Sequence, residues 1–99
     1  MNVLFICSMA RMRSKTANNI YTGISDYAGT DNDADKPITK DLMEWADKVV
    51  CMEMCHRSRL RRKFKGFSHK MLVLGIPDEY NYMDSRLIDI LNSKLYRVF

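Results

Sequence analysis

Asn2-Val3-Leu4-Phe5-Ile6-Cys7-Ser8-Met9-Ala10-Arg11-Met12-Arg13-Ser14 passes from a continuous apolar run to a cysteine and then to a polar, basic segment. Asn2–Ile6 is short, apolar and partly β-branched, and polar residues follow it at once, which predicts a buried strand. From Ser14 the period changes. Ala17, Ile20, Tyr21 and Ile24 fall on one face of a helix, and Ser14 is suited to cap its start. Ile24–Ala28 has the composition of a short second strand, and Gly29–Pro37 is a polar loop. Thr39 then caps a helix to about Asp47 with Leu42, Met43 and Ala46 inward, and Val49–Met52 is the next buried strand. Glu53–Lys65 reads as a helix with Leu60 and Phe64 as its inner stripe, Met71–Gly75 as a strand and Ile76–Met83 as a loop. Asp84 caps a last helix that turns Leu87, Ile88, Leu91, Leu95 and Val98 to the core.

Strands alternating with helices at this spacing predict an α/β fold: a three-layer sandwich with a central parallel sheet of about four strands and helices on both faces. Ligands of such sheets sit beyond the carboxyl ends of the strands. Cys7 lies at one such end and the loop after Gly75 at another. The ninety-nine residues, 46% apolar and 28% charged, suit a single domain spanning residues 1–99. The apolar runs are far shorter than the roughly 18 residues that cross a bilayer, and no leader with a small-residue cleavage site is evident. A cytoplasmic protein with no membrane partner is therefore expected. Cys7, Cys51 and Cys55 are odd in number, fit no disulfide framework and lack the partners of a zinc site, so reduced thiols are expected. The net charge of +4 favours an anionic partner without choosing among phosphate ester, nucleic acid and membrane surface.

The chemistry is concentrated between the first strand and the first helix. Cys7 and Arg13 are separated by Ser8, Met9, Ala10, Arg11 and Met12. That spacing lets one short loop curl its backbone N–H groups around an oxyanion while the following helix points its positive end at the same spot. The same N–H groups, the helix and Arg13 would favour the thiolate of Cys7, and Arg13 can grip two oxygens as a fork, which a lysine cannot. Against this stands the plain reading of Cys7 as a small buried residue ending a strand. The strand before it and the helix opening at Ser14 favour the anion loop.

On these residues the chain resembles the low-molecular-weight protein tyrosine phosphatases in shortened form. The likeness covers Val3-Leu4-Phe5-Ile6-Cys7 with Arg13-Ser14 and Thr16-Ala17, then Ala28-Gly29-Thr30. It continues through Asp41-Leu42, Ala46-Asp47 and Val50-Cys51-Met52 to His56, and returns in Pro77-Asp78-Glu79-Tyr80. The resemblance implies a cysteine-dependent phosphatase acting on a phosphorylated protein or small aryl phosphate through a phosphocysteine, inhibited by phosphate or vanadate, without cofactor or metal. Cys7 would attack phosphorus, Arg13 would bind the phosphate, and Ser14 would hydrogen-bond the sulfur. Asp78 would protonate the leaving phenol and then activate water, a role that its place in the loop after the last strand suggests independently. Asp84 competes for it, but a position just before Leu87 suits capping. Tyr80 and Tyr82 either wall the pocket or pack half-buried.

The departures are as specific as the matches. Met9 and Ala10 stand where the resembled loop carries glycine and asparagine, and Ala10 brings no side-chain brace to a turn that forces some residue into a strained conformation. Met12 replaces a second loop cysteine, Glu79 a proline, and Lys15 another. His56 and His69 read as surface or packing residues, and the eight methionines as core filler. The basic face of Arg57, Arg59, Arg61, Arg62, Lys63 and Lys65 is either a solvated surface or a dock for an acidic partner. Two other functions fit part of the pattern. An arsenate reductase would relay oxidation to Cys51 or Cys55. A non-catalytic module would bind phosphate without turnover, with nucleic acid the less expected ligand.

Overall fold

Alternate residues of the first strand serve two different cores. In the computed structural model, which describes residues 1–99, β1 (Asn2–Cys7) buries Val3, Phe5 and Cys7 on one face and Leu4 and Ile6 on the other. The side-chain period of two imposes this on a strand covered from both sides, and so the run is apolar throughout. Fully burying Leu4, Phe5 and Ile6 contributes roughly 1.5–3 kcal/mol each. The chain continues as α1 (Arg13–Ile20), β2 (Ile24–Gly29), α2 (Lys40–Trp45), β3 (Lys48–Cys51), α3 (Met54–Lys63), a 3₁₀ turn (Ser68–Lys70), β4 (Met71–Val73) and α4 (Ser85–Val98).

The four strands lie in the order β2-β1-β3-β4, and every neighbouring pair is parallel. Ala17 of α1 and Leu87, Leu91 and Leu95 of α4 pack with Val3, Phe5, Val50 and Met52. Met43 of α2 and Leu60 of α3 pack with Leu4, Ile6, Val49 and Cys51 on the opposite face. This is the expected three-layer α/β sandwich. The chain passes from β1 to one neighbour and then crosses to the other, so the switch point of the sheet lies at the carboxyl end of β1. Cys7 occupies that end.

Several expectations need correction. Ser14 does not cap α1: the helix begins at Arg13, Met12 holds the cap position without a side-chain bond, and Ser14 is buried in the first turn. Its hydroxyl goes to Cys7 instead, which leaves the N-terminal N–H groups of the helix to other acceptors. Ile24 is not on that helix. Tyr21 turns extended, and Ile24 opens the edge strand β2 at 64% exposure. Ala46 likewise turns extended, which ends α2 at Trp45 and brings Asp47 beside Asn2, where each backbone N–H finds an acceptor on the other residue. β4 stops at Val73, just before Gly75 takes φ +74°, a conformation a strand cannot hold. α4 outruns the sheet, so Val98 is exposed; Ile88 is half-buried, and Ile90 packs against the core in its place. Thr39 and Asp84 do cap their helices, accepting from the N–H of Leu42 and Arg86.

Candidate active site

Residues 8–12 leave β1 and curl into α1 on a floor made by the segment after β2. The N–H groups of Thr30, Asp31 and Asp35 donate to the carbonyls of Cys7, Ser8 and Met9 at 2.9, 3.0 and 3.0 Å. With those carbonyls held, the backbone N–H groups of Ser8 through Met12 have no protein acceptor, the condition for a nest of donors. Bending the loop this tightly places Ala10 at φ +59°, so the strained position is the one where the residue best suited to it, asparagine or glycine, is missing. Gly29 makes the floor possible: a Cβ there would stand 2.5 Å from the Ser8 carbonyl oxygen and 2.9 Å from the Ala10 nitrogen.

The loop bounds a cavity of about 190 Å³ lined by Cys7, Ser8, Met9, Arg11, Met12 and Arg13, with Asp78 contributed by the segment after β4. Cys7 Sγ lies 3.0 Å from Ser14 Oγ. Arg13 is 2% exposed. Its Nη1 donates to the Glu53 carboxylate and to the Ile76 carbonyl at 2.8 Å, while Nε stands 3.9 Å from Asp78 Oδ1. A buried guanidinium is costly unless paired and hydrogen-bonded. These partners meet that need and leave Nε and Nη2 without a hydrogen-bond acceptor in the protein.

Two side-chain ties brace the loop, and sequence reading missed both. Ser8 Oγ lies 3.0 Å from His56 Nε2, and Arg11 Nε donates to both carboxylate oxygens of Asp35 at 3.1 Å. His56 is fully buried, and its Nδ1 accepts the Glu53 N–H at 3.0 Å. Burial, and then the Arg13 charge, lower the imidazole from 6.5 to about 4. The ring is therefore neutral at pH 7, with its remaining proton on Nε2 facing Ser8. His56 is a packing residue as expected, but one packed against the loop. A histidine three residues after Glu53, which takes the cap position of α3, was the available signal.

Other candidates fall elsewhere. Ala10 is buried beneath the loop and does not line the cavity. Tyr82 accepts a hydrogen bond from Asn19 and lies under the Lys15 ammonium, while Tyr80 packs against the core beneath the Arg86 guanidinium. Together with the Met83 N–H on Thr16 Oγ1, Tyr82 moors the Asp78 loop to α1. Asp84 pairs with Arg86 away from the cavity, and hydrogen bonds from Arg86 lower its carboxyl. Of the methionines, Met43, Met52 and Met71 fill the core, Met9 and Met12 line the cavity, and Met1, Met54 and Met83 are exposed. Glu53, Cys55 and His56 bring donor atoms within 4.8 Å of one another. Both ring nitrogens of His56 and the Glu53 carboxylate are already engaged, so the trio is a poor metal site.

No family model matches the chain, and no curated protein matches it by sequence. Solved structures do match. A protein tyrosine phosphatase from Entamoeba histolytica, with Hepes in its active site, superposes at TM-score 0.79 and 19% identity over 99% of this chain and 94% of its own. A low molecular weight protein tyrosine phosphatase from Streptococcus pyogenes does so at 0.78 and 15% identity over 99% and 93%. A cysteine-to-serine mutant of the YwlE arginine phosphatase, with that active-site serine phosphorylated, superposes at 0.74 and 17% identity over 99% and 95%. These likenesses extend over nearly the whole of each chain, and this chain has the fold of the low molecular weight protein tyrosine phosphatases.

Proposed function

We propose that the chain is a cysteine-dependent phosphatase that hydrolyses aryl phosphate monoesters, phosphotyrosine on a protein foremost, through a phosphocysteine intermediate in a reducing, cytoplasmic setting. The observation that carries the reading is the convergence of Cys7, Arg13 and Asp78 on one cavity of about 190 Å³, walled by a loop whose N–H groups have no protein acceptor.

In the first step the Cys7 thiolate attacks phosphorus while the bond to the phenolic oxygen breaks and Asp78 gives that oxygen its proton. Arg13 Nε and Nη2 and the loop N–H groups take the phosphoryl oxygens, where negative charge is spread in the transition state. In the second step the Asp78 carboxylate takes a proton from water, whose oxygen attacks phosphorus. The phosphorus–sulfur bond breaks, inorganic phosphate departs, and the returning thiolate accepts a hydrogen bond from the Ser14 hydroxyl. Ser8, Met9, Arg11 and Met12 form the wall of the pocket, and Ala10 shapes it from below. The phosphorylated serine in YwlE supports a fold that accommodates a phosphoenzyme, and that protein's activity makes phosphoarginine the competing substrate. A thiol relay of the arsenate reductase kind has less support. Cys51 lies in the core on the face opposite Cys7, and its burial pushes the thiol up to about 12.

Hydrolysis of p-nitrophenyl phosphate by the wild type, set beside Cys7→Ser, tests the reading. Turnover that disappears in the variant while vanadate still binds is the expected result; binding without turnover in the wild type would mark a non-catalytic module. Phosphate release from phosphotyrosine and phosphoarginine peptides then separates the two substrate classes.

A further inference from the structure

Six of the sixteen lysines and arginines fall between Arg57 and Lys65, with no aspartate or glutamate among them. The rest of the chain sets ten cations against twelve anions, so the net positive charge resides on one helix of an otherwise slightly acidic molecule. α3 turns His56, Leu60 and Phe64 inward and leaves Arg59, Arg61, Arg62, Lys63 and the following Lys65 exposed. Of the six cations only Arg59 has a carboxylate partner, Asp31. Arg57 and Arg61 stand one turn apart on α3, where like charges repel, and Lys65 follows just past its end.

Two hollows flank the helix. One, of about 550 Å³, lies between residues 30–33 and the side chains of Arg59, Arg62 and Lys63. The other, of about 300 Å³, is bounded by Ser58, Arg61, Arg62 and Lys65, with no acidic residue. The first reaches the catalytic loop through its floor, and the second lies farther along α3 toward its C-terminal end. Thr30 and Asp31 of the first hollow hold the Cys7 and Ser8 carbonyls, and α3 opens at Glu53 and His56, which bond to Arg13 and Ser8. Neither hollow has an apolar lining residue, so this face offers no platform on which bases could stack.

We propose that the outer face of α3 docks an acidic stretch flanking the phosphorylated residue of a polypeptide substrate. The proposal rests on the phosphatase reading above and adds the substrate's character. From His56 to Lys63 the helix rises about 10 Å, the span of about three extended residues. A peptide with its phosphate in the Cys7 loop therefore reaches the arginines with acidic residues a few positions away. Exposed charges of this kind act chiefly on encounter rate and are screened by salt.

The test compares three substrates: p-nitrophenyl phosphate, a phosphotyrosine peptide flanked by Asp and Glu, and the same peptide flanked by Gly and Ser. Each is assayed with the wild type, with Arg61→Glu/Arg62→Glu/Lys65→Glu, and with the corresponding triple Gln variant. The expected kcat/KM for the acidic peptide exceeds that for the neutral one by roughly tenfold at low salt. That advantage is lost near 1 M salt, where the Debye length is about 3 Å, and in both variants, while p-nitrophenyl phosphate is turned over alike by all three proteins. Equal rates on the two peptides, or variants that change all substrates together, would overturn the proposal. If p-nitrophenyl phosphate is not hydrolysed, the phosphatase reading fails separately. Anisotropy of a labelled, unphosphorylated acidic peptide then decides the docking: binding lost in the Glu variant upholds it, and equal binding to both proteins, or tighter binding of an oligonucleotide, refutes it.

Discussion

Ser8 Oγ and His56 Nε2 meet at 3.0 Å across forty-eight residues of sequence. The contact ties the loop that follows β1 to the first turn of α3, and the other nitrogen of the same ring holds the Glu53 N–H. One buried imidazole therefore orders a loop residue and the cap residue whose carboxylate pairs with Arg13. A loop with alanine where the resembled one has asparagine gains its brace from a different element.

His56 should make stability depend on pH. Its folded-state value of about 4 lies below the ordinary 6.5, so the unfolded chain binds more protons between the two. Its contribution is complete above about pH 6.5 and is lost as pH falls from there through about 4. Thermal melts across this range should show Tm falling with acidity. His56→Asn, which can still accept the Glu53 N–H but does not titrate, should fall less steeply. Parallel slopes for the two proteins would remove His56 as the cause.

The same histidine should matter to anion binding. In His56→Ala the Ser8 hydroxyl and the Glu53 N–H lose their partner, at about 1–3 kcal/mol for each buried group left unsatisfied. Vanadate inhibition should weaken and Tm should drop together. Unchanged vanadate affinity in a folded variant would mean that the backbone ties to Thr30, Asp31 and Asp35 suffice to hold the loop.

Ala10, at φ +59°, should discriminate among side chains by backbone preference. Ala10→Asn should keep or raise vanadate affinity, because asparagine tolerates the left-handed region. Ala10→Val should lose stability on the order of 1–3 kcal/mol and bind vanadate more weakly, since a β-branched residue resists that region. The order Asn, Ala, Val in both Tm and inhibition is the expected series.

Gly29→Ala should be damaging, because Gly29 is buried directly beneath the loop. The added Cβ would meet the Ser8 carbonyl oxygen at 2.5 Å and Ala34 Cβ at 2.7 Å, backbone on one side and a buried methyl on the other. Overpacking of this kind costs about 1–3 kcal/mol. Because the displaced group is the loop itself, aryl phosphate turnover should fall along with Tm; a drop in Tm alone would show that the floor yields without moving the loop.

Asp78→Asn should slow phenyl phosphate far more than p-nitrophenyl phosphate, because only the poorer leaving group needs a proton in the transition state. Asp84→Ala, which removes a helix cap and an ion pair with Arg86, should lower Tm without changing that ratio. Similar losses on both esters in Asp78→Asn would point to a structural role for its contact with Arg13.

The strand, the loop from Cys7 to Arg13 and the helix after it were legible in the sequence because each rests on a local signal. An unbroken apolar run needs burial on two faces, and the five residues between Cys7 and Arg13 set the size of the loop whatever surrounds it. The caps at Thr39 and Asp84 were equally local. What tertiary structure alone decided were contacts between elements. Ser14 looked like a cap because its residue type prefers that site, but the returning loop set its hydroxyl against Cys7 sulfur. Ile24 and Val98 fitted helical spacing, yet an edge strand and an overhanging helix end left them in solvent. His56 gave only a weak sign of its partner, since the path from Ser8 to it runs through α1, β2, α2 and β3. Periodicity reports which face a residue occupies; only the packed sheet sets what stands opposite, and here that supplied the brace the loop's own residues lack.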